Sequence, residues 1–283
     1  ETVLAQVCAD ALGVPIDQIT VHQGDTELVE HGGGTNASRS AVTAGMAVRM
    51  GAERIREKAL AIAGHLLEVD PMDLEIHDGV ISPRGVPSIR VSLADVAAAA
   101  APGPGARLPE GMDPSLDASA YWVPPAVTFG SSTHVAVVDV DPETGRVAVL
   151  RYVVVDDCGR ELNPTVVDGQ QHGGVAHGIG NGILEEVIYD DAGQLLNPTF
   201  MDYLLPTAAD VPPIEVVHEN HRTPLNPLGV KGVGEGGATS APAALANAIA
   251  DAMKPLRLQI DAVPVTPARV KRWIDEAKAA STP

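Results

Sequence analysis

The stretch Ser132 to Gly159, "STHVAVVDVDPETGRVAVLRYVVVDDCG", decides the fold class. Val recurs on both sides of a Pro142 to Gly145 turn, with Thr133 before it and Tyr152 after it, so the segment reads as two long strands joined by a tight connection. Helical patterns follow at roughly 164–188, 240–254 and 267–280, with "VPPIEVVHE" (Val211 to Glu219) as a short strand between them. Upstream, "ETVLAQVCADALGVP" begins at once as an amphipathic helix with the stripe Val3, Leu4, Val7, Cys8 and Leu12, and "QITVHQG" (Gln18 to Gly24) alternates as a strand. A long helix is expected from about Ala41 to Leu67, and "DLEIHDGVISPRG" reads as a hairpin around Asp78-Gly79. Strands and helices are interspersed without a βαβ period, which predicts an α+β protein of two lobes. The Pro/Gly-rich passage 101–117 is the best internal boundary, giving lobes over residues 1–110 and 111–283, the second carrying the Asp-Cys-Gly and Gly-Val-Gly-Glu-Gly-Gly loops.

Composition narrows the function. With 283 residues, 45% of them hydrophobic, the chain can bury a sizeable core. A net charge of −18 and only two Trp, four Tyr and two Phe exclude a phosphate-tracking or base-stacking surface, so nucleic acid is not an expected partner. Two cysteines without a CxxC pair make no disulfide framework, and no apolar run reaches ~18 residues, so no membrane span is expected and a cytoplasmic setting follows. The chain starts inside a helical pattern, which suggests that upstream sequence belongs with it.

Three loops carry chemistry. "HGGGTNASRS" (His31 to Ser40) offers consecutive backbone N–H groups, hydroxyls and Arg39 ahead of a helix, a combination suited to phosphate; it is neither a Walker A loop nor a dinucleotide fingerprint. Taken singly, it is a flexible turn with a Ser cap. "DDCGRELNPTVVDGQQHGG" (Asp156 to Gly174) sets Asp156, Asp157, Cys158, Gly159, Asn163 and Gln170 where a strand stops and a helix starts. Alone, Asp157 and Asn163 are turn caps and Cys158 a small buried residue. His172 and His177 stand five apart, off one helical face and with no third ligand near, so a metal pair is not expected. "GVKGVGEGG" (Gly229 to Gly237) isolates one carboxylate, Glu235, among five glycines, just before a helix with Ser240 as its expected cap and Pro242 in its first turn. A helix N-terminus favours that carboxylate, burial against a bound group disfavours its charge, and where burial wins Glu235 becomes a usable general base.

Together, "GGGTNASRS", "DDCGRELNPTVVDGQQHGGVAHGIGNGILEE", "FMDYLLPTAADVP" and "GVKGVGEGG", in order over nearly the whole chain, strongly resemble the C-terminal part of the molybdenum-binding subunit of the xanthine dehydrogenase, aldehyde oxidase and carbon monoxide dehydrogenase family. The resemblance implies a two-lobed fold that grips a molybdopterin cytosine dinucleotide bearing Mo through Thr35, Asn36, Ala37, Ser38, Arg39, Ser40, Asp157, Cys158, Gly159, Asn163, Gln170, Lys231, Gly232, Val233 and Gly234. No side chain ligates the metal. Glu235 would face it as general base in the hydroxylation of an aldehyde or N-heteroaromatic carbon with water as oxygen source. Asn36 departs from the Tyr common in close relatives. The resemblance further implies an upstream half of the subunit, an iron–sulfur subunit with [2Fe-2S], an FAD subunit and a small-molecule substrate, with no activity expected of this chain by itself. Two alternatives stand beside it: a carbon monoxide dehydrogenase with copper beside molybdenum, and a non-catalytic scaffold subunit.

Overall fold

The structure is a computed structural model and describes residues 1–29 and 32–280. The chain forms two compact units, residues 1–127 with 224–228, and residues 128–223 with 229–283.

In the first unit, α1 (Thr2–Leu12) packs on the 28-residue α2 (Ser40–Leu67). Their contact is made by Ala5, Val7 and Ala9 rather than by the full expected stripe: Val3, Leu4 and Cys8 are only half-buried, because alanines allow the closer approach. A three-stranded antiparallel sheet, β1 (Leu74–His77), β2 (Val80–Pro83) and β3 (Val91–Ser92), is followed by α3 (Leu93–Ala100). Asp78 and Gly79 both take positive φ, 49° and 73°, as the expected two-residue hairpin requires. Ile62, Leu74, Ile81 and Val96 centre the core. "QITVHQG" forms no strand: Ile19 and Val21 tuck inward and Thr20 and His22 point out, but no ladder pairs with the segment.

The Pro/Gly passage 101–117 does not divide the compact units. Arg107 and Ser115 donate backbone hydrogen bonds to Ala99 and Ala100, and Leu108, Met112 and Leu116 cover the first core, so the break moves to Val127/Thr128. Pro224–Leu228 returns to the first unit, where Arg49 donates to the Pro227 carbonyl at 3.1 Å.

The second unit is built on the two long strands expected from Ser132 to Gly159. β4 (Ser131–Val140) and β5 (Val147–Asp157) pair antiparallel across a turn whose Asp141 side chain accepts from Glu143 N and Thr144 Oγ1. β6 (Ile214–His218) then pairs parallel to β5, so α4 (Pro164–Ile179) lies in one crossover between parallel neighbours, a βαβ link that the sequence pattern did not disclose. α5 (Gly236–Ala252) and α6 (Pro267–Ala280) complete the layer over the inward row Tyr152, Val154 and Asp156 of β5. Val175, Ile179, Leu245, Ile249 and Ile274 fill the core. Among the described residues, no helix is long and apolar enough to cross a membrane.

Candidate active site

At the end of β5, Asp157 is committed to holding two loops together. Its Oδ1 accepts from Gly159 N at 2.9 Å and His221 N at 3.2 Å, and its Oδ2 takes the Lys231 ammonium at 2.6 Å. The Cys158 carbonyl accepts from Lys231 N, and Gly159 pairs with Val230, so the Asp-Cys-Gly loop and the start of the glycine segment are stitched side by side. Gly159 has φ +73°, and a Cβ there would overlap the Gly229 carbonyl. Burial opposes the Asp157 charge, but Lys231 and the two backbone donors outweigh it and hold the carboxyl below its usual range. A depressed folded value contributes stability above the unfolded value of 3.8, lost as pH falls through it toward the folded one. Asp157→Ala is therefore expected to cost about 2 kcal/mol at pH 7, by leaving Lys231 and two N–H groups unpartnered, and the loss relative to wild type should shrink in thermal melts taken below pH 4.

The glycine segment continues into α5, and packing sets where that helix begins. α4 and α5 cross on small residues spaced by four: a Cβ on Gly174 would lie 2.8 Å from Gly237 Cα, one on Gly237 2.6 Å from the Gln171 carbonyl, and one on Gly178 would overlap Ala241. The close crossing pulls the first turn of α5 onto α4, and the helix starts at Gly236. Glu235 is therefore the N-terminal flanking residue; Ser240, expected as the cap, and Pro242, expected in the first turn, lie within the helix. Three glycines of the segment thus answer to their own unit: Gly237 to α4, Gly229 to the Arg222 side chain, which a Cβ there would meet at 3.1 Å, and Gly236 to buried polar side chains.

The crossing leaves an open cleft of about 490 Å³, lined by Gln170, Gly173, Gly174, His177 and Asn181 on one side and by Gly234, Glu235, Ala238 and Thr239 on the other. Glu235 is exposed at its edge, with its carbonyl accepting from Thr239 Oγ1 at 2.8 Å. Asn181 belongs to a π-helical segment, Gly180–Leu184, that extends α4, and such insertions re-aim side chains near sites.

In the first unit, the turn before α2 has Ala37 and Ser38 both left-handed, at φ 51° and 54°, a conformation that costs a non-glycine residue ~1–2 kcal/mol. Arg39, not a serine, flanks the helix start, and it makes no side-chain cap. Ser40 Oγ instead donates to Thr35 Oγ1 at 3.2 Å, Asn36 Nδ2 to the Gly33 carbonyl at 3.4 Å, and the Arg39 guanidinium folds back toward Gly33. The turn thus presents backbone N–H groups at the start of a long helix. His31, the first residue of the quoted motif, lies outside the described residues.

The sequence-derived residues therefore divide by what they do in the chain. Asp157, Cys158, Gly159 and Lys231 build the joint between loops; Cys158 is buried, and burial is the main cause pushing its thiol up to about 12. Asn163 accepts from Val166 N and caps α4 behind Pro164. Gln170, Gly234 and Glu235 open onto the cleft. Gly232 donates to the Thr128 carbonyl at 3.3 Å, and the Val233 carbonyl accepts from Gly236 N. His172 Nδ1 bonds the Asp168 carbonyl at 2.9 Å, and no group of three or more ligating side chains occurs among the described residues. His177 and Asn181 were not expected as lining residues. Their i, i+4 spacing with Gly173 on the face of α4 that carries Gln170 was the available signal.

Residues 1–212 match the family model described as a molybdopterin cofactor-binding domain. The chain is 41% identical to the nicotine 6-hydroxylase large subunit of Paenarthrobacter nicotinovorans over 96% of its own length and 33% of that protein's. It is 36% identical to the carbon monoxide dehydrogenase large chain of Afipia carboxidovorans, over 89% of this chain and 31% of the relative. Quinoline 2-oxidoreductase from Pseudomonas putida 86 superimposes with a TM-score of 0.88 at 42% identity, covering 98% of this chain and 35% of that one. The chain thus spans about a third of the length of the relatives it matches. A match over three quarters of the sequence, joined to the same fold, places this chain in the molybdopterin cofactor-binding domain family of molybdenum-dependent large subunits.

Proposed function

We propose that the chain supplies the general base and part of the cofactor cradle of a molybdenum hydroxylase large subunit acting on an N-heteroaromatic or aldehyde carbon. The observation that carries this reading is Glu235, set at the start of α5 on the edge of a cleft whose other wall is α4. The residues present fit a pterin nucleotide. The N-terminus of α2, with no side-chain cap behind a left-handed Ala37-Ser38 pair, is a site for phosphate, with Arg39 beside it. The loops at Asp157 to Gly159 and Lys231 to Gly234 are braced against one another before any ligand arrives. A molybdopterin cytosine dinucleotide bound there supplies two-electron redox chemistry and activation of water.

Glu235 takes the proton from the water-derived nucleophile on a carboxylate oxygen and returns it to solvent. Gln170 offers an amide to the bound group from the opposite wall, while Asp157 and Lys231 hold the backbone that cradles it. Electrons leave to [2Fe-2S] and FAD on partner subunits, because two separated cysteines hold no cluster in this chain. Identities of 41% and 42% with a nicotine and a quinoline enzyme support an N-heteroaromatic substrate. Copper found stoichiometric with molybdenum in the purified complex would favour carbon monoxide oxidation instead.

Arg39→Ala in the full-length subunit is expected to lower cytosine nucleotide per subunit, with Arg39→Lys restoring only part, since an ammonium lacks the planar fork. Nucleotide released on denaturation and quantified by chromatography measures this; equal content in the three proteins would overturn the phosphate role.

A further inference from the structure

Beneath the first turn of α5 lies a set of buried polar groups from three elements. Asp156 ends the inward row of β5 and is 3% exposed, Gln171 sits on α4 with no exposure, and His218 ends β6 directly across the parallel register from Asp156. Asp156 Oδ2, both amide atoms of Gln171 and His218 Nδ1 are buried without a hydrogen-bond partner. Gln171 interrupts the apolar row Val167, Val175 and Ile179 on α4, where a Leu would pack without desolvating an amide. A Cβ on Gly236 would come within 3.1 Å of Gln171 Nε2 and 3.4 Å of Asp156 Oδ1, so the residue after Glu235 rests on this set.

We propose that Asp156, Gln171 and His218 form a polar seat that positions the Glu235 carboxylate by fixing the first turn of α5, a proposal that rests on the reading of Glu235 as the base. Protonated Asp156 can donate Oδ2–H to Gln171 Oε1 while its other oxygen accepts from Gln171 Nε2; ionised, it has no donor for the amide oxygen and carries the burial cost of its charge. Burial is the main cause raising the Asp156 carboxyl to about 6, with Asp157 and Glu161 adding to it and His218 and the Cys158 thiol opposing it. On its outer side His218 Nε2 lies 3.9 Å from Asp168 Oδ1, which also stands 3.5 Å from His172 Nδ1. Because the folded value lies above the unfolded 3.8, opening the seat releases a proton; the seat is therefore tightest below about pH 6 and loosens as pH rises through it.

The test uses the assembled holoenzyme, with hydrogen exchange of the peptide covering residues 229–240 followed across pH, corrected for intrinsic rates, beside steady-state kinetics. In wild type and in Glu235→Gln alike, protection of the α5 first turn falls as pH rises through about 6. In Asp156→Asn that dependence disappears, and in Gln171→Leu protection is low at every pH while thermal stability is retained. Gln171→Leu lowers kcat by ~10-fold with KM within about threefold, the signature of a displaced base rather than lost binding. Wild-type kcat and an unchanged exchange profile in both variants would overturn the seat, as would a fall in melting temperature with kcat per loaded enzyme untouched. Full activity of Glu235→Gln would instead remove the base reading, and the exchange profiles of the other variants tell the two failures apart.

Discussion

Glu235→Gln is expected to lower kcat by ~10²–10⁴-fold with molybdenum and cytosine nucleotide per subunit unchanged. The substitution keeps the shape of the side chain and its place before α5, and the Glu235 carbonyl bond from Thr239 belongs to the backbone, so the cleft keeps its form. What is lost is the ability to accept a proton. Of the other residues lining the cleft, only His177 has a side chain of a type that serves as a base, and it stands on the opposite wall. His177→Gln in the Glu235→Gln background separates the two: residual turnover that His177 supports would disappear in the double variant. Unchanged turnover at full molybdenum occupancy in Glu235→Gln would refute the assignment of the base.

Much of this arrangement was legible where local chemistry and tertiary packing agree. The Pro142 to Gly145 turn, the Asp78-Gly79 hairpin and the Asn163-Pro164 helix start each carry a residue type that the backbone demands there. Legibility ended where contacts distant in sequence decide. "QITVHQG" alternates as a strand should, yet a strand exists only with a neighbour, and alternation does not name one. Ser240 is a better cap than Glu235 by propensity, but the Gly237 contact with α4 starts the helix five residues earlier, against the low helix preference of glycine. The Pro/Gly passage looks like a linker because turns and covers over a core share a composition; Leu108, Met112 and Leu116 decide between them only once the core is seen. The family was legible by resemblance rather than by chemistry alone, since Asp157, Asn163 and Lys231 turn out to be engaged in loop architecture that would exist around many ligands.

The glycines of the α4–α5 crossing give the second large effect, because here the usual rule about glycine changes sign. Replacing a helical glycine with alanine normally stabilises by ~0.5–1 kcal/mol, by removing conformational freedom from the unfolded chain. Gly169 of α4 has nothing within 4 Å of where an alanine methyl would sit, so Gly169→Ala should follow that rule and raise the melting temperature of the full-length subunit. Gly237 is also helical, but its methyl would lie 2.6 Å from the Gln171 carbonyl and 3.0 Å from Gly174 Cα, and both are backbone atoms that cannot rotate away. The helices must part or the first turn of α5 must unwind, and Gly237→Ala is expected to cost about 3 kcal/mol, the upper range for overpacking. Parting the helices also moves Glu235 against Gln170 across the cleft, so turnover should fall by more than the lost fraction of folded protein explains. Thermal melts of the two variants side by side check the first claim, and kcat per bound molybdenum checks the second. A stabilised Gly237→Ala with wild-type kcat would mean that the close crossing of α4 and α5 does not govern the cleft.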